Sequence, residues 1–110
     1  MTSNRLNQLL NFLGESPNDS FILFAIAKEY EKYDERKMAF EYYLKLKQTD
    51  PKYVGLYYHL GKLYEKDAAY DAALVAYKEG IAVAKSAGDR HALGELSEAK
   101  MILEEDFFDE

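Results

Sequence analysis

Cysteine is absent from this chain of 110 residues. Its absence excludes a disulfide framework, a thiolate metal site and a cysteine nucleophile. Histidine is nearly absent too: the chain has only His59 and His91, and neither has a second ligand at metal spacing. The glycines Gly55, Gly61 and Gly80 lie too far apart to form a phosphate-binding loop. The sequence therefore predicts a protein that is not an enzyme and that holds no cofactor and no metal.

Positive charge is in short supply, because 14 Lys and Arg residues stand against 20 Asp and Glu residues, giving a net charge of −6. Proteins that bind phosphate backbones usually present a basic face, so nucleic acid is not an expected partner. No apolar run approaches the ~20 residues of a membrane-spanning helix. The first residues also lack the charged-then-apolar layout of a secretory signal. We therefore expect a cytoplasmic protein with no membrane partner.

Proline occurs only twice, at Pro17 and Pro51, and helix-forming residues dominate the rest of the chain. Apolar residues recur at intervals of three and four positions, which is typical of helices with one buried face. Gly14 is expected to end the first helix in a left-handed conformation. The predicted helices are Ser3–Leu13, Ser20–Lys32, Arg36–Thr49, Leu56–Tyr64, Tyr70 towards Ala87, and Arg90–Asp106.

The pattern of the second and third helices returns after 34 residues. Small residues recur at positions where paired helices would come closest, and tyrosines recur one turn away. A larger side chain at the small positions would force the helices apart. The small positions are Ala27, Ala39, Gly61 and Ala73, and the identical pairs are Lys28/Lys62, Tyr30/Tyr64, Glu31/Glu65, Lys32/Lys66, Ala39/Ala73 and Tyr43/Tyr77.

A two-helix unit with this period resembles the tetratricopeptide repeat. The family's aromatic, Leu-Gly, Tyr and Ala positions are matched by Tyr57, Leu60-Gly61, Tyr64 and Ala73. The resemblance implies an all-α fold, a right-handed α-α superhelix built from antiparallel helix pairs. It also implies one domain over residues 1–110, divided into a leading helix (3–14), repeat 1 (20–53), repeat 2 (54–87), a closing helix (88–106) and a tail (107–110).

The first helix of each repeat has a second face, on which aromatic rings stand beside lysines. In the resembled family this face lines the concave groove that holds peptides. The resemblance therefore implies a non-catalytic module that binds a protein or peptide, here an acidic segment with an apolar anchor. The alternative is a structural protein whose concave face is buried in a homodimer. The candidate peptide-binding residues are Phe21, Phe24, Lys28, Lys32, Tyr58, His59, Lys62 and Lys66.

The last four residues, 107–110, are aromatic and acidic. One interpretation is that this tail docks in the groove of its own chain or of a neighbouring chain. The other is that it is a frayed terminus.

Overall fold

The computed structural model of the chain describes residues 3–108, and this range contains six α-helices and no β-strand. This observation confirms the predicted all-α class. The contacts between Cα atoms divide the chain into two compact units, with the boundary between Tyr53 and Val54. The helices are α1 (Asn4–Glu15), α2 (Ser20–Lys32), α3 (Arg36–Thr49), α4 (Gly55–Lys66), α5 (Tyr70–Ala87) and α6 (Arg90–Phe107).

The first unit contains α1, α2 and α3. Side-chain caps fix the starts of two helices: Ser3 Oγ accepts a hydrogen bond from the backbone N–H of Leu6, and Asp19 Oδ1 accepts one from that of Ile22. Leu6 and Leu9 of α1 are buried in one cluster with residues of α2. This cluster lies on the side of α2 that holds Ala25 and Ile26. Phe21 and Phe24 of α2 are not part of the cluster.

The end of α1 differs from the prediction. Gly14 does not adopt the left-handed conformation, and the helix continues to Glu15. The terminating residue is Ser16, with φ −137° and ψ 75°. Proline disfavours the helical conformation of the residue before it, so Pro17 accounts for a helix end at Ser16.

The second unit contains α4, α5 and α6. Gly61 of α4 lies against the ring of Tyr77 on α5, and Gly80 of α5 lies against Tyr57 and Leu96. Neither glycine has room for a side chain, so both mark close approaches between helices. The four predicted small contact residues of the chain, Ala27, Ala39, Gly61 and Ala73, are all buried.

The turn inside each helix pair has the same geometry. Asp34 and Ala68, which are 34 residues apart, adopt the left-handed conformation with φ of 57° and 56°. In each turn the next backbone N–H, that of Glu35 or Ala69, donates to a tyrosine carbonyl oxygen at 2.9 Å. The two turns therefore reverse the chain in the same way, and each unit contains one helix hairpin of the repeated kind.

Candidate peptide-binding faces

The first candidate face, called here the α2 face, consists of Phe21, Phe24, Lys28 and Lys32. At about 100° per residue these four positions lie on one side of α2. The Phe21 side chain is 65% exposed. Phe24 is less exposed than Phe21. It is half-buried, because its ring packs against the rings of Tyr53 and Tyr43, with centroids 5.3 Å and 6.2 Å away. The α2 face thus offers one exposed ring supported by an aromatic cluster of its own unit.

Charge is distributed unevenly along the α2 face. The lysines lie towards the C-terminal end of α2, where Lys32 Nζ is 4.0 Å from the Glu29 carboxylate. Carboxylates lie at the other end: burial, together with the negative charges of Asp50 and Asp19, raises the pKa of Tyr53. An acidic ligand on this face would therefore be attracted to the lysine end and repelled from the other.

The second candidate face, called the α4 face, consists of Tyr58, His59, Lys62 and Lys66. The rings of Tyr58 and His59 meet edge to face, with centroids 5.5 Å apart. Lys62 Nζ lies 5.6 Å from the centroid of the Tyr58 ring and 3.9 Å from a carboxylate oxygen of Glu65. These two contacts hold the ammonium group beside the ring. Lys66, the last residue of α4, is exposed.

Behind each face a buried tyrosine donates its hydroxyl proton to a carboxylate. Tyr43 donates to Glu31 Oε1 at 2.6 Å, and Tyr77 donates to Glu65 Oε2. The 34-residue repeat marks these four residues as two identical pairs but does not show that each tyrosine contacts a glutamate. The signal for that contact is the spacing of 12 residues, which both pairs share. Burial, with the hydrogen bond as a second cause, raises the pKa of both tyrosines far above the ordinary value of 10.0.

We expect the free energy of unfolding to fall as the pH rises above 10, because both tyrosines stay protonated in the fold while the unfolded chain ionises near 10.0. Their contribution is fully present below that pH and is lost towards the higher pKa of the folded state. Above pH 10, each tyrosine can lower the free energy of unfolding by up to about 1.4 kcal/mol per pH unit. Urea unfolding at about pH 9 and about pH 11 measures the loss. The free energy of unfolding of the double variant Tyr43→Phe/Tyr77→Phe should fall less between these two pH values. An equal fall in the variant and the wild type would contradict the assignment of the pH dependence to these two tyrosines.

The structure places the eight predicted site residues in two groups of four, one on α2 and one on α4. Their role in binding stays a prediction. Among residues 3–108, no group of three His, Asp or Glu side chains is arranged to hold a metal ion. In the same range, no helix combines the length and apolar character required to cross a bilayer.

Comparison with known proteins gives structural relatives only, since no protein-family model and no curated protein matches the chain. The solution structure of a tetratricopeptide repeat domain protein from Salinibacter ruber has 44% identity and a TM-score of 0.77, covering 80% of this chain and 89% of that one. A crystal structure of a tetratricopeptide repeat domain protein from the same organism also has 44% identity, with a TM-score of 0.75, covering 78% of this chain and 96% of that one.

A more distant relative shares the fold. The Sgt2 tetratricopeptide repeat domain from Aspergillus fumigatus has 24% identity and a TM-score of 0.76, covering 94% of this chain and 69% of that one. Tetratricopeptide repeat domains are typically non-catalytic protein-interaction modules. The repeated hairpins, the small residues at their contacts and the 44% identity to the Salinibacter ruber protein lead to one conclusion: the chain belongs to the tetratricopeptide repeat family.

Proposed function

We propose that this protein is a non-catalytic interaction module that binds an acidic segment of another protein, with an apolar anchor, on the α2 and α4 faces. The observation that carries the proposal is the exposed ring of Phe21, 65% accessible, on the same side of α2 as Lys28 and Lys32. Binding is favoured when a ligand covers an apolar ring of this size and removes it from water. The neighbouring ammonium groups favour ligands that carry carboxylates.

The order of ring and charge along each helix supports a defined ligand orientation. On α2 the phenylalanines precede Lys28 and Lys32, and on α4 Tyr58 precedes Lys62 and Lys66. Lysines near a helix C-terminus are also favoured by the helix dipole. On either face a ligand would therefore place its apolar side chain towards the start of the helix and its carboxylates towards the end.

Lys62 has a defined position on the α4 face. Its contacts with Tyr58 and Glu65 leave its side chain 40% exposed, so part of the ammonium group remains open to a ligand. Because Glu65 also accepts the Tyr77 hydrogen bond, a second carboxylate at position 62 would repel a group that supports the hairpin. A neutral substitution, Lys62→Gln, therefore tests binding with less effect on folding than Lys62→Glu.

The double variant Lys28→Gln/Lys62→Gln should bind an acidic peptide roughly two to thirty times more weakly, since each of the two exposed charge contacts contributes about 0.2–1 kcal/mol. The probe is a fluorescent synthetic peptide with one phenylalanine followed by several glutamates. Fluorescence anisotropy gives its Kd at low and high salt, and the difference between variant and wild type should shrink at high salt. A second peptide with glutamine in place of glutamate should not distinguish the two proteins.

The matched control is Lys37→Gln/Lys45→Gln, which removes two exposed lysines of α3 and leaves both faces intact. Equal affinity of the two double variants for the acidic peptide would exclude the lysines as its binding site. Phe21→Ser tests the anchor separately and should weaken both peptides. If Phe21→Ser instead lowers the mass of the protein in solution, the face is consumed in self-assembly and the alternative function holds.

A further inference from the structure

Helix α6 repeats part of the sequence of α4. The segments Leu60–Glu65 and Leu93–Glu98, which are 33 positions apart, both read Leu-Gly-x-Leu-x-Glu. The second leucine of each segment, Leu63 or Leu96, is buried. Because the two segments are helical and bury the same position, their equivalent residues lie on equivalent sides of α4 and α6.

The glycines of these two segments have different surroundings. In α4, a Cβ atom at Gly61 would lie 2.2 Å from the Tyr77 ring of α5, and Glu65 accepts the hydrogen bond of the Tyr77 hydroxyl. In α6, a Cβ atom at Gly94 would meet nothing within 4 Å, and Glu98 is exposed. Within residues 3–108, α6 therefore leaves open the side that α4 uses to hold α5.

This open side of α6, called here the α6 face, consists of Gly94, Ser97, Glu98 and Met101. Their intervals of three and four residues place them on one side of the helix. Met101 is 53% exposed. The α6 face thus offers a glycine, an apolar side chain and a carboxylate to a helix that would lie across it.

A groove between α5 and α6 borders the α6 face. Its volume is about 370 Å³, and its apolar side chains are Ile81 of α5 and Met101 of α6. Glu104 and Lys100 also line the groove, but they pair with each other at 3.1 Å. These two charges neutralise each other, so neither requires a partner from outside the chain.

Two further lysines of α5, Lys78 and Lys85, line the same groove. Within residues 3–108, neither forms a salt bridge with a carboxylate. The groove therefore carries two positive charges that are not neutralised, although the net charge of the chain is −6. A ligand with carboxylates on the side that meets α5 complements this charge.

We propose that the α6 face and the groove beside it bind an amphipathic helix of another protein, which lies on α6 as α5 lies on α4. This helix places a tyrosine ring over Gly94, and the tyrosine hydroxyl donates a hydrogen bond to Glu98. Carboxylates on one flank of the helix lie beside Lys78 and Lys85. The chain's own helix of this kind, α5, is engaged with α4, so the occupant comes from another protein.

The probe is a fluorescent peptide of 18 residues with the sequence of α5, because α5 fits the equivalent side of α4. Bound to α6 in the same way, the peptide would run parallel to α5, and parallel neighbours meet by opposite flanks. Lys78 and Lys85 occupy one flank of the α5 sequence, and Ala72, Glu79 and Val83 occupy the other. The changes Ala72→Glu and Val83→Glu in the peptide therefore give an acidic α5 peptide with three carboxylates towards the lysines.

Fluorescence anisotropy should show that the acidic α5 peptide binds the chain roughly two to thirty times more tightly than the unchanged α5 peptide. The protein variant Lys78→Gln/Lys85→Gln should remove this difference. The matched control Lys37→Gln/Lys45→Gln, on α3, should preserve it. If the difference persists in Lys78→Gln/Lys85→Gln, these lysines do not meet the ligand and the proposed orientation is wrong.

Gly94→Leu tests the α6 face, because leucine occupies the space assigned to the tyrosine ring. The variant should bind the acidic α5 peptide at least about tenfold more weakly. Circular dichroism should show an unchanged fold, since a Cβ atom at position 94 meets nothing within 4 Å. The control Gly14→Leu, at another helical glycine with open space around it, should leave the Kd unchanged.

The hydrogen bond to Glu98 has its own test. Glu98→Ala in the protein and Tyr77→Phe in the peptide should each raise the Kd roughly tenfold. If the two groups contact each other, the combination should raise the Kd no further than either change alone. Independent, multiplying effects would show that the tyrosine does not lie over Gly94.

The proposal is overturned if the acidic α5 peptide does not bind, or if it binds wild type and Gly94→Leu equally. Loss of binding with Phe21→Ser but not with Gly94→Leu would assign the peptide to the α2 face instead. Sedimentation equilibrium of the chain alone tests for a second copy, and a dimer that Gly94→Leu dissociates would also overturn the proposal. Binding to the α2 and α4 faces is measured with the phenylalanine–glutamate peptide, so either proposal can fail without the other.

Discussion

Gly61→Leu is expected to abolish cooperative folding of the C-terminal unit. A Cβ atom at position 61 would lie 2.2 Å from Cε1 of the Tyr77 ring and 2.7 Å from two further ring atoms. The ring has little freedom to move away, because Tyr77 is fully buried and its hydroxyl is bonded to Glu65. A single methyl group too many in a packed core costs about 1–3 kcal/mol, and leucine adds three more carbons. Thermal unfolding followed by circular dichroism measures the loss.

Two alanine variants serve as controls for this experiment. Gly61→Ala should destabilise the fold by about 1–3 kcal/mol, because α5 must shift to admit one methyl group. Gly14→Ala should be neutral or stabilising by up to about 0.5–1 kcal/mol, since Gly14 is helical and a Cβ there meets nothing within 4 Å. If Gly61→Leu unfolds at the same temperature as Gly14→Ala, α4 and α5 do not approach each other as described.

The helix hairpins could be predicted because their contacts require small and aromatic residues at positions that repeat along the sequence. Ala39 and Ala73 are small for the same steric reason, and they stand 34 residues apart since each hairpin repeats the same packing. Aperiodic features were harder to predict. The end of α1 is at Ser16 rather than Gly14 because a local effect, the restriction imposed by Pro17, determines it.

The candidate faces show what periodicity leaves out. Helical spacing predicts that Phe21 and Phe24 share a side of α2, but it does not predict how far each ring is covered. Phe24 is half-buried because Tyr53, distant in sequence, packs against it. Glu29 is a stronger example, because this residue of α2 is only 6% exposed. Its carboxylate accepts a hydrogen bond from Ser3 Oγ at 3.3 Å and forms an ion pair with Arg5 Nε at 3.4 Å. Contacts of this kind depend on how α1 docks, which the sequence pattern of α2 does not encode.

Tyr43→Ala is expected to destabilise the fold by about 3–5 kcal/mol, the usual range for removing a buried aromatic ring. Tyr43 is fully buried, its ring neighbours that of Phe24, and its hydroxyl bonds to Glu31. Tyr43→Phe keeps the ring and removes only the hydrogen bond to the carboxylate, so it should cost less, about 1.5–3 kcal/mol. Urea unfolding of both variants separates the packing contribution from that of the hydrogen bond.

The matched control is Tyr33→Ala, in the turn after α2, where the tyrosine is 46% exposed. Its loss should change the free energy of unfolding by no more than about 0.5 kcal/mol. An equally small effect of Tyr43→Ala would show that the space between α2 and α3 is not filled as described. A large effect has a consequence for binding as well. Because the Tyr43 ring supports Phe24, any folded fraction of Tyr43→Ala should bind the acidic peptide more weakly than wild type, although position 43 lies outside the α2 face.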